Sequence, residues 1–209
     1  MQYLEQFEPD KFYHIFNHAV GFEDLYKNDE NKRYFLQRYA DYMEPVCSTF
    51  AYCLMNNHFH FMVQIRSEAE LLAFFAKYKQ REEVPTFHKI VMQQFSNFCN
   101  AYAKAFNKEQ NRTGALFIDY VKRTELETRA YQKEVIRYIH YNPVKHGFTD
   151  RVQDWQFSSF HSLISEQPTK LARATVLEYF GGKEAFLELH KFNDRDWTDC
   201  DPEWEFGMY

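Results

Sequence analysis

The stretch Ala51 to Gln64 reads A-Y-C-L-M-N-N-H-F-H-F-M-V-Q, two apolar runs joined by adjacent asparagines. Runs of this kind form buried strands. Asn56-Asn57 predicts a tight hairpin turn, because asparagine tolerates the positive φ that such turns use. The expected strands are Cys47 to Met55 and His58 to Ile65, antiparallel to each other. Side chains two apart on a strand share a face. His58 and His60 therefore point to one side, while Phe59 and Phe61 anchor a core on the other. Such a histidine pair has two readings: packed strand imidazoles, or two nitrogen donors converging on one divalent metal. For an arbitrary H-x-H the first is the more frequent.

The rest of the chain alternates strands and helices. Phe12 to Val20 reads as a first strand, ended by Gly21, and Asp29 to Met43 as a helix stopped by Pro45. Leu71 to Lys79 is helical, and Pro85 separates it from a longer helix over Thr86 to Asn107. A turn over Asn111 to Gly114 leads to a fourth strand, Ala115 to Arg123. Thr128 to Tyr141 is helical and is expected to end at Asn142-Pro143, because proline disfavours the helical conformation of the residue before it. The order β-α-β-β-α-β predicts an α+β fold, a ferredoxin-like antiparallel sheet with helices on one face. That domain covers residues 1–150. Residues 151–192 are expected to form a helical C-terminal appendage packed on it, and 193–209 an acidic, mobile tail. With 22 Phe and 15 Tyr among 209 residues, aromatic rings can fill a sizeable core.

No apolar run approaches the ~20 residues of a membrane helix, and the N-terminus has no secretory pattern. A cytoplasmic protein without membrane partners is expected. Cys47, Cys53, Cys99 and Cys200 lack C-x-x-C spacing and read as reduced thiols, not a zinc cluster or disulfide framework. The net charge of −5 is unevenly spread: residues 77–151 carry 14 basic and 8 acidic side chains, and 192–209 carry 1 and 6. The basic middle is either an ordinary solvated surface or a phosphate-binding face.

A second candidate is Tyr102. Phe95, Phe98, Cys99 and Phe106 supply a core-facing helical stripe, and Tyr102 lies four residues from both Phe98 and Phe106. It is either a buried aromatic or a nucleophile. A phenol with a pKa near 10 attacks at neutral pH only where a metal or base stabilises the developing oxyanion.

Taken together, these phrases resemble the REP-associated tyrosine transposases, which are similar to insertion sequence 200-like transposases within the HUH superfamily of single-strand DNA nucleases. The carriers are Y-H-I-F-N at 13–17, A-Y-C-L-M-N-N-H-F-H at 51–60, A-Y-A-K-A-F-N-K at 101–108 and T-G-A-L-F at 113–117, followed by R-Y-I-H-Y-N-P-V at 137–144 and W-Q-F-S-S-F at 155–160. The resemblance implies DNA transposition and recombination chemistry on single-stranded or hairpin DNA, by a monomer or homodimer. It implies His58 and His60 as ligands of Mg2+ or Mn2+ and Tyr102 as the nucleophile that forms a 5′-phosphotyrosine, with Tyr120 or Tyr138 to be tested if Tyr102→Phe keeps the covalent adduct.

Related transposases add a glutamine one helical turn after the tyrosine as third ligand, a position held here by Phe106. Asn107 is the favoured substitute, with Gln64 and His14 as alternatives. The expected DNA-binding residues are Asn17, Lys104, Lys108, Arg112, Lys122 and Arg123. The phrase R-Y-I-H-Y-N-P reads mainly as a helix terminus and packing motif. His88, His146, His161 and His190 are expected to have surface or packing roles. The family often has N-R-G after the first strand, and Gln then Arg after T-G-x-L-F. This chain has Asn17-His18-Ala19 and Ile118-Asp119-Tyr120. Two further readings follow: a descendant that binds hairpin DNA without cutting it, and a rolling-circle-type nickase.

Overall fold

The computed structural model describes residues 5–21, 23–77, 85–118 and 121–191. Among these, the strands β1 (Phe12–His18), β2 (Cys47–Leu54), β3 (His58–Ile65) and β4 (Lys122–Glu125) form one antiparallel sheet in the order β2-β3-β1-β4. That order is the ferredoxin-like arrangement. The hairpin of β2 and β3 closes at Asn56-Asn57, with Met55 N–H donating to His58 O at 2.9 Å. Neither asparagine takes a positive φ; outside glycine, only Asp10 and Asn111 do among the described residues. The turn instead serves as an anchor: Asn57 O accepts from Ala19 N–H and Asn56 O from Leu25 N–H, each at 2.8 Å.

The sheet separates two cores. Tyr13, Ile15, Phe59, Phe61 and Val63 face the first. There they meet Phe35 of α1 (Asp29–Met43) and Phe95 and Phe98 of α3 (Phe87–Glu109). Helix α1 starts where Asn28 accepts from Asn31 N–H, with Asp29 and Glu30 in its first turn complementing the helix dipole. Helix α2 (Glu68–Lys77) contributes Leu71 to the same core. Its expected end at Lys79 lies outside the described residues, as do Asp119, Tyr120, Cys200 and the acidic tail.

The second core holds Phe16, Phe50 and Met62 of the sheet against Val135, Ile136 and Ile139 of α4 (Arg129–Lys145). A bulge between Thr49 and Ala51 lets both Phe50 and Ala51 join it, since a bulge breaks the strict alternation of a strand. The helices α5 (Phe160–Ile164), α6 (Arg173–Phe180) and α7 (Lys183–Leu189) complete this core with Phe160, Val176, Phe180 and Phe186. Thus α1 and α3 pack on one face, and α4 with the C-terminal helices covers the other. The C-terminal segment also protects the β2 edge: Ser159 N–H donates to Tyr52 O, Ala172 N–H to Thr49 O and Leu54 N–H to Phe157 O, all at 2.9 Å. An uncovered edge would be a template for pairing with another chain.

Two expected boundaries are corrected. The fourth strand does not begin at Ala115. Residues 115–118 only extend the end of β1, through Val20 N–H to Leu116 O and Ile118 N–H to His18 O at 3.0 Å each, and regular pairing resumes at Lys122. The last long helix does not stop before Pro143 but runs to Lys145. Pro143 falls in its final turn, where the chain recovers bonds from His146 N–H to Asn142 O at 3.0 Å and Phe148 N–H to Pro143 O at 2.8 Å.

A buried polar chain pins the C-terminal helices to α4. His190 Nδ1 lies 2.7 Å from Phe186 O, a pure acceptor, so that nitrogen carries the proton. His190 Nε2 then accepts from His140 Nδ1–H at 2.9 Å. His140 Nε2 accepts from the Ser159 hydroxyl at 2.7 Å, and Ser159 Oγ accepts from Tyr52 N–H at 2.9 Å. Burial holds His140 well below the ordinary histidine range and His190 at about 4. Both are neutral in the fold, whereas in the unfolded chain they titrate near 6.5. Below about pH 6.5 the unfolded state binds more protons, so stability falls with pH by up to about 1.4 kcal/mol per unit for each such histidine. Urea unfolding at stepped pH should show constant stability above pH 7 and a steep loss between 6.5 and 4. A flat profile over that window would contradict this network.

Candidate functional site

The pairing of β1 with β3 sets Phe16 opposite His60 and His18 opposite His58. Alternation then turns His14, Phe16, His58 and His60 toward the face covered by α4. His14 lies edge to edge with His60 and nearly coplanar, ring centroids 5.1 Å and planes 8° apart, and Phe16 packs beside His60 at 5.8 Å. From α4, the Tyr138 ring stands edge-on to His60, centroids 5.8 Å apart at 88°. One helical turn later Asn142 reaches the other histidine, its Oδ1 lying 3.5 Å from His58 Nε2. His146, a further turn along, packs against His58 at 5.4 Å. Positions four apart share a helix face, so α4 presents Tyr138, Asn142 and His146 as a row over the histidine pair. Two cations border the row: Lys145 Nζ is 5.6 Å from the Tyr138 ring and Lys122 Nζ is 5.8 Å from the Phe16 ring.

The histidines are neutral. Burial, reinforced by His146, brings His58 down to about 3, and burial with His14 and His58 nearby holds His60 well below the usual range. A neutral imidazole has one N–H. His58 Nδ1 lies 2.8 Å from Asn57 Oδ1, the shorter of its two carbonyl contacts, and donates there. Its Nε2 then bears a lone pair directed at Asn142 Oδ1, two acceptors facing each other, and Asn142 Nδ2 is buried without a hydrogen-bond partner. A cation between nitrogen and oxygen satisfies both acceptors, so the donor set suits a divalent ion. Among the described residues no group of three or more His, Cys, Asp or Glu side chains is arranged to hold a metal; here an amide oxygen would accompany two imidazoles.

Tyr102 is elsewhere. It lies on the opposite face of the sheet, in the first core against Phe35 at 4.9 Å, with its hydroxyl donating to Leu25 O at 2.5 Å. Burial raises its pKa far above the phenol range, and Glu109 and Tyr34 add to that. The expectation that Tyr102 is the nucleophile is therefore corrected: its alternative role, a buried aromatic, is the one the fold gives it. Asn107 is corrected for the same reason. Its amide bridges the following loop, donating to Gly114 O at 2.9 Å and accepting from Arg112 Nη1 at 2.5 Å. Gln64 donates to Asp10 O at 3.1 Å, and His14 Nε2 lies 3.0 Å from His60 Nδ1.

The expected DNA-binding residues disperse. Lys122 borders the histidine face. Asn17, Lys104 and Asn107 line a cavity of about 420 Å3 against α3 on the other face. Asn17 is buried and donates to Ile118 O at 3.3 Å, and Lys108 lies exposed on the outer surface of α3. Arg112 holds Ala115 O at 3.2 Å and approaches Glu23 at 3.8 Å. Arg123 is buried, bonded to Glu5 O and to Val121 O and lying over the Phe7 ring, so it is a structural residue. From the sequence Tyr138 is only an alternative nucleophile, Asn142 and His146 read as packing residues, and Lys145 is not singled out. Their signal was present: Tyr138 is followed four residues later by an amide, whereas Tyr102 is followed by Phe106.

No family model matches the chain. A curated Haemophilus influenzae protein named “Putative REP-associated tyrosine transposase” is 26% identical over 117 residues, covering 54% of this chain and 58% of the relative. The match thus spans less than two thirds of that relative. Among solved structures, a REP-associated tyrosine transposase bound to a REP hairpin superposes with a TM-score of 0.52 at 15% identity, covering 82% of this chain and 91% of that one. At that identity the likeness is one of fold. Among the described residues no helix is long and apolar enough to cross a membrane. By sequence this chain is similar to a curated relative named as a REP-associated tyrosine transposase, and by fold to a solved REP-associated tyrosine transposase.

Proposed function

We propose that this protein cleaves and rejoins single-stranded or hairpin DNA, with Tyr138 as the nucleophile and His58, His60 and Asn142 as the ligands of a divalent metal. One observation carries the reading: Tyr138 and Asn142, one helical turn apart on α4, face the H-x-H pair of β3. The name of the Haemophilus influenzae relative and the REP hairpin held by the structural neighbour support DNA as substrate. Two imidazole donors argue for Mn2+ over Mg2+, which prefers oxygen ligands.

When bound, the metal would polarise the scissile phosphate and stabilise the leaving oxygen. Tyr138 Oη forms a bond to phosphorus in line with the departing 3′-oxygen, and the P–O3′ bond breaks. The phenolic proton is balanced by protonation of the released 3′-hydroxyl. The product is a 5′-phosphotyrosine, and attack by a different 3′-hydroxyl reverses the step and joins strands, because one phosphodiester replaces another. Lys145 beside the Tyr138 ring counters the negative charge gathered on phosphate and phenolate. Lys122 and Lys145 together would hold the incoming backbone. A second reading, binding without cleavage, draws on the burial of the site: His60 is 0% and Tyr138 3% exposed.

A 3′-labelled hairpin oligonucleotide with a single-stranded flank, incubated with Mn2+, tests both. The full chain should give a covalent adduct on a denaturing gel that EDTA prevents and Tyr138→Phe abolishes. Tyr102→Phe should keep the adduct and instead lose roughly 1–3 kcal/mol of stability, the cost of leaving buried Leu25 O unsatisfied. Loss of the adduct in a folded Tyr102→Phe with retention in Tyr138→Phe would overturn the assignment. Hairpin binding without any adduct would leave the binding-only reading.

The phosphate contacts have a separate signature. Lys122→Ala and Lys145→Ala should each weaken hairpin binding and reduce the slope of log affinity against log salt by about 0.7 to 1. Arg123→Lys should leave that slope unchanged. An unchanged slope in both lysine variants would remove them from the backbone path.

A further inference from the structure

We infer that His14 is a positioning residue that fixes the tautomer and orientation of His60, so that His60 offers Nε2 to the cation. The inference rests on the proposed metal role of His58 and His60 and assigns a new function to a residue on the neighbouring strand. His14 Nε2 lies 3.0 Å from His60 Nδ1, and both rings are completely buried. One of those two nitrogens must carry a proton and the other a lone pair. If His14 donated, His60 would be protonated at Nε2 and closed to a metal. If His60 donates from Nδ1, its Nε2 lone pair is directed away from His14.

The partner histidine is held in the manner of the second arrangement. His58 Nδ1 lies 2.8 Å from Asn57 Oδ1, an atom that only accepts, so His58 presents Nε2. The site then has one plan applied twice: each ring of the pair is held at Nδ1 by a neighbour and directs Nε2 inward. A hydrogen bond at the distal nitrogen sets the tautomer of a ligating imidazole and raises its basicity. His14 uses an imidazole where His58 has an amide. Its ring is itself immobilised, stacked on Phe16 at 5.1 Å and 22° and met edge-on by Tyr138 at 6.2 Å. The His14 and His60 rings lie nearly coplanar, edge to edge, so the hydrogen bond between them sets ring orientation as well as proton position. It also explains why His14 is not the third ligand, since the nitrogen it directs at the pair is occupied by the bond to His60.

The test needs no DNA. Long-range proton–nitrogen correlation spectra of the metal-free full chain, with 15N-labelled histidine, report the tautomer of each ring directly. His60 should be protonated at Nδ1. His14→Leu should lose that fixed tautomer and bind Mn2+ 10–100-fold more weakly by calorimetry, the usual range for removing an outer partner of a ligating histidine. His14→Gln, whose side-chain oxygen can reach the position of Nε2, should recover most of the affinity. A wild-type His60 protonated at Nε2 overturns the role, and this measurement holds even if His14→Leu fails to fold. Unchanged Mn2+ affinity in a folded His14→Leu overturns the role alone. A wild type that binds no Mn2+ overturns the metal reading itself, and this role with it.

Discussion

Strand β3 is buried on both sides, and the two-residue period of its side chains organises everything around it. Phe59, Phe61 and Val63 face the first core, where α1 and α3 supply the facing rings. His58, His60 and Met62 face the other side, where α4 lies. Each fully buried aromatic of the first set contributes roughly 1.5–3 kcal/mol, and the same geometry forces two imidazoles out of water. Such groups are tolerated only when their nitrogens find partners. Asn57 is such a partner for His58 and His14 for His60. The Phe face therefore stabilises a strand whose other face is committed to polar chemistry.

That second face exists only because the C-terminal segment closes it. Residues 157–172 cap the exposed backbone of β2, and Phe160, Phe180 and Phe186 fill the space beneath α4. The chain from Phe186 O through His190, His140 and Ser159 to Tyr52 fastens this layer to both the helix and the sheet. Because His140 lies between Tyr138 and Asn142 on the same helix, whatever holds His140 in the packed layer also holds its neighbours over the H-x-H pair. The C-terminal helices thus act on the site by fixing the pitch and rotation of α4.

Much of this was legible in the sequence. The bounds of α1 and β3 follow from residue periodicity, Asn28 and the Asn56-Asn57 turn, and the sheet order follows from the succession of elements. The place of Tyr102 was misread for a reason contained in the same periodicity. If His58 and His60 face away from Phe59 and Phe61, then a tyrosine four residues from Phe98, which packs on Phe35, belongs with the phenylalanines. Phe106 in the position of the expected amide pointed the same way. Pro143 hid the alternative, because a proline that ends most helices here lies in the last turn of one, and the phrase R-Y-I-H-Y-N-P looked like a terminus. The pairing of His14 with His60 had no signal at all, since it depends on the register of β1 against β3.

The burial of the site restricts how any strand could enter. His60, His14 and Tyr138 are enclosed, whereas the His58 end of the pair adjoins half-exposed His18, Lys145 and His146. On the proposed chemistry a phosphate approaches along that end, past the cations and between β3 and α4, to reach Tyr138 Oη. Packed side chains bound that path, so on the proposed chemistry a single backbone suits it better than an intact duplex. Exclusion of water from the inner half of the site would also strengthen each electrostatic contact there relative to solution. The same enclosure that makes two neutral histidines costly to bury is what would make them effective once a cation and a phosphate lie between them.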